Sequence, residues 1–410
     1  MSAKVRLTVS AAMLCVLGGT ARAQQQAPAE EYVGPDLITA ERIASLRPDE
    51  RAAWTSYVQR SSALHARDLS VMRAELLGLG SAVMTKAPYS APDFRLDDRP
   101  DSWILSDSGR AIADAVLTYQ TPSGGWSKRT DMTHPRPAGT SYYSELPTWH
   151  YIPTFDNGAT TGQLRFLARA ARLRGDERYV EAWHRGLRLV FAAQQPNGCW
   201  PQSFPLEGGY HDAITFNDDA NVLILRLLDD VASGEVTLGT PAERESARTA
   251  AKRGLACVLA VQVRINGRRT VWGQQHDPIT LSVVGARKYE IPGLAGRESA
   301  NIVMYLMSLL KPDTSVIAAV YGANEWFASH AIRGYRYAGY ALTADASAGP
   351  IWPRLTDMVN DRPIFANRDG IKLYDFNKLT DRRTGYGWFG TEPEAVMRQF
   401  AAWKRVYPEY

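Results

Sequence analysis

Cysteine is scarce in this chain: three in 410 residues, at Cys15, Cys199 and Cys257. So few cannot make a disulfide-built scaffold. Long apolar runs are missing too. Beyond the first 23 residues no stretch offers about 18 uncharged apolar residues, so no membrane span is expected and no membrane partner. Charge of one sign is also lacking, with 47 basic against 43 acidic side chains. Nucleic-acid binding needs a basic patch or stripe, which this balance does not supply. Histidine is rare, at seven, and no serine or cysteine nucleophile motif surrounds His276.

The slight basic excess belongs to the N-terminus. Lys4 and Arg6 precede an apolar or small run over residues 7–20, and Ala21-Arg22-Ala23 has the small-x-small form of a cleavage site. We read residues 1–23 as a secretory signal cut before Gln24, and expect a soluble protein that is secreted or periplasmic. Without Lys4, Arg6 and Arg22, the 47 basic side chains fall to 44 against 43 acidic ones. An exported compartment permits a bond between Cys199 and Cys257 but does not require it.

What the chain does have is a repeat. Glutamine-to-tryptophan loops run from Gln120 to Trp126, Gln194 to Trp200 and Gln262 to Trp272, so the tryptophans are spaced by 74 and then 72 residues. A fixed period marks stacked units that cannot bury an apolar face alone. About 73 residues suits two helices of 15–20 residues and two loops. The expectation is an all-α protein, a ring of helical hairpins with Gly-rich aromatic loops gathered at one end.

Residues 24–35 read as a polar linker, and residues 48–77 as an amphipathic accessory helix, so 24–100 forms an N-terminal extension. The catalytic part is then 101–410. Helices are expected at about 102–119, 161–174, 177–194, 218–232, 241–262, 298–310 and 313–338. Asn217 offers an N-cap before Asp218-Asp219, and Thr240-Pro241-Ala242-Glu243 resembles a capping box. Residues 363–388 read as a small β-element. The connections 132–155, 201–216 and 272–297 are long and aromatic, a composition that favours function over disorder.

Two acidic helix starts are one repeat apart. Phe155-Asp156-Asn157-Gly158 and Phe216-Asn217-Asp218-Asp219 would meet on one rim, with Asp218 falling 62 residues after Asp156. Each alone could be a turn and cap. Together they form an oxygen-only set for a hard cation, most simply calcium. Arg287 and Lys288 put two cations in a facing loop, where Glu290 or Glu298 could equally be ordinary ion-pair partners.

At these residues the chain resembles the family-ten pectate lyases. The matching segments, over about residues 124–390, are Gly124-Gly125-Trp126-Ser127-Lys128, Phe155-Asp156-Asn157-Gly158-Ala159-Thr160, Phe216-Asn217-Asp218-Asp219, Gln274-Gln275-His276-Asp277-Pro278, Ala286-Arg287-Lys288-Tyr289-Glu290, Arg368-Asp369-Gly370 and Gly385-Tyr386-Gly387-Trp388. The resemblance implies an (α/α) toroid of about three hairpins and a calcium-dependent lyase of polygalacturonate; a monomer is expected. By motif, Asp156, Asn157 and Asp218 would hold Ca2+, and Arg287 would be the base. Arg368 would grip a substrate carboxylate, and Lys128 would also bind substrate. Trp126 and Asp277 are further expected substrate contacts, and His276 is expected in a structural or substrate-contact role. Three positions depart from the family. Cys199 stands where Gly is usual, Gly273 where Cys is common, and Lys288 where a small residue follows the base.

Elimination from galacturonate removes the C5 proton and expels the C4 oxygen, so the carboxylate at C5 must first be neutralised. An arginine base is chemically awkward, because its pKa stands above about 12 and must be lowered by crowding with other cations. Two other classes remain open on the sequence: a toroid hydrolase using paired carboxylic groups, and a glycan-binding toroid without turnover.

Overall fold

The computed structural model of the chain describes residues 36–91, 93–96, 98–144 and 153–409. The signal segment and the linker lie outside the described residues, as does 145–152 within the first long connection.

Helices dominate. They are α1 (Ala40–Ala44), α2 (Pro48–Gly78), α3 (Asp101–Leu105), α4 (Asp107–Thr118), α5 (Thr161–Arg174), α6 (Glu177–Ala193), α7 (Ala220–Ser233), α8 (Pro241–Ala260), α9 (Gly296–Ser308), α10 (Thr314–Ser329) and α11 (Glu392–Val406). Three hairpins, α5–α6, α7–α8 and α9–α10, stack side by side. One row of neighbours runs α4, α6, α8, α10, and the other α3, α5, α7, α9, α11. Among the described residues no helix is long and apolar enough to cross a membrane.

Local chemistry sets the helix starts. Asp176 accepts from the Arg178 amide at α6, and Asp313 from the Val316 amide at α10. At α8 the expected box is formed, with Thr240 and Glu243 each accepting from the other's backbone. Three helix expectations are corrected, and one helix is added. Residues 102–119 divide at Ser106, whose hydroxyl caps α4 by accepting from Gly109. The last apolar stretch stops at Ser329, and Gly334 at φ 79° turns the chain into a hairpin of Tyr335–Tyr337 with Leu342–Ala344. Asn217 is not the cap of α7, which begins only at Ala220 because Asp218 and Asp219 adopt left-handed backbone. Helix α11 was not anticipated, although Pro393 with Glu392 and Glu394 at its start and Lys404 and Arg405 at its end are standard terminal signals.

The repeat is carried by buried polar clips. Each loop tryptophan is fully buried, and its indole N–H donates back to a carbonyl of the preceding helix: Trp126 to Val116 (2.8 Å), Trp200 to Val190 (2.9 Å) and Trp272 to Val258 (2.7 Å). Each loop glutamine spans to the next hairpin. The Gln120 amide donates to Gly124 and to Ala182 in α6, Gln194 to Gly198 and Ala250 in α8, and Gln262 to Thr270 and Ala319 in α10. Their carbonyls accept from Arg185, Arg253 and Arg269. Gly124 (φ 120°) and Gly198 (φ 103°) hold equivalent places, where a Cβ would lie 2.5 and 2.4 Å from the Arg185 and Arg253 carbonyls. A side chain there would push the repeats apart. Cys199 and Cys257 form a disulfide between the second loop and α8.

The expected β-element is wider than residues 363–388. Short strands lie between residues 335 and 390, and an aromatic cluster of Tyr289, Phe365, Phe376, Tyr386, Trp388 and Phe389 fills their core. A separate three-stranded ribbon joins Ile214–Thr215, Gln275–His276 and Val283–Val284, all antiparallel. That ribbon fixes the chain just before α7 against the third tryptophan loop. The Phe216 and Asn217 amides both donate to the Gln274 carbonyl, at 2.8 and 3.1 Å.

Candidate active site

Two matching turns precede α5 and α7. In the first, Asp156 is followed by Asn157 at φ 53° and Gly158 at φ 73°; in the second, Asn217 is followed by Asp218 at φ 48° and Asp219 at φ 64°. The structural counterparts are therefore Asp156 with Asn217 and Asn157 with Asp218, one position away from the pairing of Asp156 with Asp218 expected from spacing. Asn and Asp tolerate left-handed backbone better than other side-chain-bearing residues.

The inward position of each turn is held in the same way, by a glutamine two residues past a loop tryptophan and by a cation. Asp156 Oδ2 accepts from Gln202 Nε2 (3.0 Å) and from the Lys128 ammonium. Asn217 Oδ1 accepts from Gln274 Nε2 (3.2 Å) and from Arg354 Nη2 (2.8 Å). Arg354 also meets Glu298 Oε1 at 2.6 Å and stacks 4.6 Å over the Tyr386 ring, whose hydroxyl donates to Gln274. Arg354, Glu298, Asn217 and Gln274 are all buried. The sequence reading missed Arg354 altogether. A lone arginine carries no motif, and only the fold brings it under the second turn.

Electrostatics separates the two acids. Burial alone would raise Asp156, yet the Lys128 charge and hydrogen bond, with Arg287 adding to them, hold it below the usual carboxylate range. Asp218 is pushed up to about 7, first by burial and then by the charge of Asp156. Asp156 Oδ1 is buried without a hydrogen-bond partner among the described residues. An unmatched acceptor beside a carboxyl raised by burial and by its neighbour's charge is an arrangement that a hard cation relieves, so the donor set fits Ca2+. Among the described residues no group of three or more His, Cys, Asp or Glu gathers for a metal. A cation here would be met by two carboxylates and further amide, water or substrate oxygens. Asn157 belongs to this rim, with its amide nitrogen donating to Asp93 at 3.3 Å. Asp219 turns away to accept from Asn301 on α9.

The charge of Arg287 helps to hold Asp156 low. The Arg287 Nε and Nη2 grip both oxygens of buried Glu290 at 2.8 and 2.7 Å, and its guanidinium lies 5.0 Å over the Tyr289 ring. Burial would lower its proton affinity, but the Glu290 carboxylate outweighs this and raises it. Lys288, next in the chain, is exposed. Arg368 stands on the β-rich segment, where its amide meets the Asp381 carboxylate (3.2 Å) and its Nη1 the Asp381 carbonyl (3.1 Å).

Three expected substrate contacts are corrected. Trp126 is fully buried as a repeat clip and presents no face to a ligand. His276 is fully buried: its Nε2 accepts from the Gly273 amide and its Nδ1 faces the Leu281 carbonyl, both at 3.0 Å. Burial lowers it to about 4, so it is a neutral structural histidine. Asp277 caps the amides of Ile279 and Thr280 and takes a two-pronged bond from Arg42 at 2.9 and 2.7 Å.

Residues 120–397 match the Pectic acid lyase family. The chain belongs to it. Two solved structures agree. A family 10 polysaccharide lyase from Cellvibrio cellulosa is 30% identical with a TM-score of 0.66, over 74% of this chain and 95% of that one. A point mutant of family 10 polysaccharide lyase from the same organism, in complex with trigalacturonic acid, is 29% identical with the same TM-score and coverage. No curated protein sequence matches significantly. As a member of the pectic acid lyase family, the chain is a polysaccharide lyase.

Proposed function

We propose that this pectic acid lyase family member is a secreted or periplasmic, calcium-dependent, monomeric lyase that cleaves polygalacturonate by β-elimination, with Arg287 as base. The reading rests above all on the Asp156–Asp218 pair, one acid held ionised by Lys128 and the other raised by burial and by the first one's charge. The bound galacturonate in one structural relative agrees with the substrate. We take the two helix rows as the arc of an (α/α) toroid whose rim carries the site.

Asp156 and Asp218 would hold Ca2+ with Asn157 beside them, and the ion would supply Lewis-acid neutralisation of the substrate carboxylate. Lys128 keeps Asp156 charged, so the pair is anionic before any ligand arrives. Arg368 adds a second grip on the sugar acid. Arg287 then removes the C5 proton: that bond's electrons become the C4=C5 double bond, and the C4 oxygen leaves with its electron pair and takes a proton from water. Glu290 opposes this step because it stabilises the protonated guanidinium. Added positive charge at the carboxylate pair pushes the other way. The rate should therefore climb toward alkaline pH.

Ultraviolet absorbance on polygalacturonate is the direct test. Growth of the unsaturated-product signal with calcium, and its loss in chelator, is the expected result. New reducing ends without absorbance would mean a hydrolase, and no product at all a binder.

A further inference from the structure

The family match starts at residue 120, leaving α1, α2 and the chain ahead of them outside it. That segment is pinned to the end of α6 and to the connections 201–216 and 272–297. On α2, the Tyr57 hydroxyl donates to the Ala193 carbonyl (3.1 Å) and Ser61 Oγ accepts from the Leu206 amide (2.7 Å). Ahead of α1, Asp36 Oδ1 accepts from the Gly209 amide at 3.1 Å. Arg42 reaches the buried Asp277 carboxylate, as described above.

The segment held in this way leads straight to the carboxylate pair. The His211 carbonyl accepts from the Gln202 amide at 2.9 Å, and the Gln202 side chain donates to Asp156. Between these anchors Tyr210 stacks on His211, ring centroids 4.0 Å apart. Tyr210 is half-buried and sits one residue from His211, whose carbonyl ties it through Gln202 to Asp156 and so to Lys128. Burial raises the Tyr210 hydroxyl above the usual range against the opposing pull of the Arg287 and Lys128 charges. Gly208 and Gly209 just before it are both left-handed, at φ 94° and 60°. Two such glycines give a turn little stiffness of its own, so its conformation depends on outside contacts.

We propose that the N-terminal extension is a positioning element of the active site, in which Asp36 fixes the Gly209 amide so that Tyr210 forms a wall for an acidic sugar chain beside Arg287 and Lys128. A tyrosine offers a sugar both an apolar face and a polar tip. The inference rests on the lyase reading above.

A double-mutant cycle on polygalacturonate tests it, with KM and kcat read separately. Asp36 is exposed, so Asp36→Ala should fold normally. It should raise KM by about three- to tenfold with kcat little changed, the size of an ordinary coupling between contacting residues. Asp36→Asn, which keeps an acceptor for the Gly209 amide, should restore KM. Tyr210→Ala should raise KM at least as much, and adding Asp36→Ala to it should change nothing further. Unchanged KM in Asp36→Ala, or strictly additive effects in the double variant, would overturn the inference while leaving the lyase reading intact. Wild-type protein that forms no unsaturated product would sink both.

Discussion

The turns at Asp156 and Asn217 share a backbone and exchange their side chains. One places its acid inward and its amide in the left-handed position; the other does the reverse. The physical reason lies beneath them. The inward residue of the second turn sits against Arg354, Gln274 and the buried Glu298 carboxylate. An acid there would face Glu298. Asparagine instead accepts from Arg354 and Gln274 and donates to Asp218 at 2.9 Å. Lys128 and Gln202 leave the first turn free to carry a buried acid. The repeat thus yields two carboxyls, each from a different turn position: Lys128 keeps Asp156 ionised, whereas burial and the Asp156 charge raise Asp218 to about 7.

The largest predicted effect removes the cation that faces the first turn. Arg287→Ala should cost about 10²–10⁴-fold in kcat, the usual contribution of a positioned base. KM should move little, because Lys128 and Arg368 remain; near-normal kcat with a much raised KM would make Arg287 a binding residue only.

Next comes the support of the second turn. Arg354→Met strands a buried Glu298 carboxylate, and should destabilise the fold by about 3–5 kcal/mol in denaturant titration. The matching change under the first turn, Lys128→Met, should cost less, about 1–2 kcal/mol. Lys128 keeps 22% of its side chain exposed, and Asp156 can take up a proton in its absence. Equal losses would mean that the two supports are energetically alike.

The smallest effect concerns pH at the flank of the first turn. Asp212 accepts from the Glu207 and Gly208 amides, and burial raises it from 3.8 to about 7. The folded state therefore keeps a proton that the unfolded chain loses. Its contribution to stability is highest below about pH 4 and is lost as pH rises to about 7. Asp212→Asn retains an acceptor and does not titrate, so its unfolding midpoint should fall less than that of wild type across this window. Parallel profiles would contradict the assignment.

The hairpins and their loops were legible because the Gln-to-Trp spacing reports a repeated contact, and the capping box at Thr240 is a local pattern. The acidic turns and Arg287 were legible through their motifs. What failed depends on burial. Trp126 and His276 share loops with the site but point into the core, and Asp277 is consumed by Arg42. A residue-by-residue pattern does not say which way a loop side chain faces. The one-position offset between the turns escaped notice for a similar reason: Asp156 and Asp218 match as acids, whereas the backbone matches Asp156 with Asn217. Arg354 and Tyr210 became visible only once distant segments met.

Calcium titration calorimetry tests most directly whether the two turns make one site. Wild-type protein should bind a single Ca2+ per chain, and Asp156→Asn and Asp218→Asn should each weaken that binding by more than about tenfold. Both variants binding calcium as tightly as wild type would contradict the account.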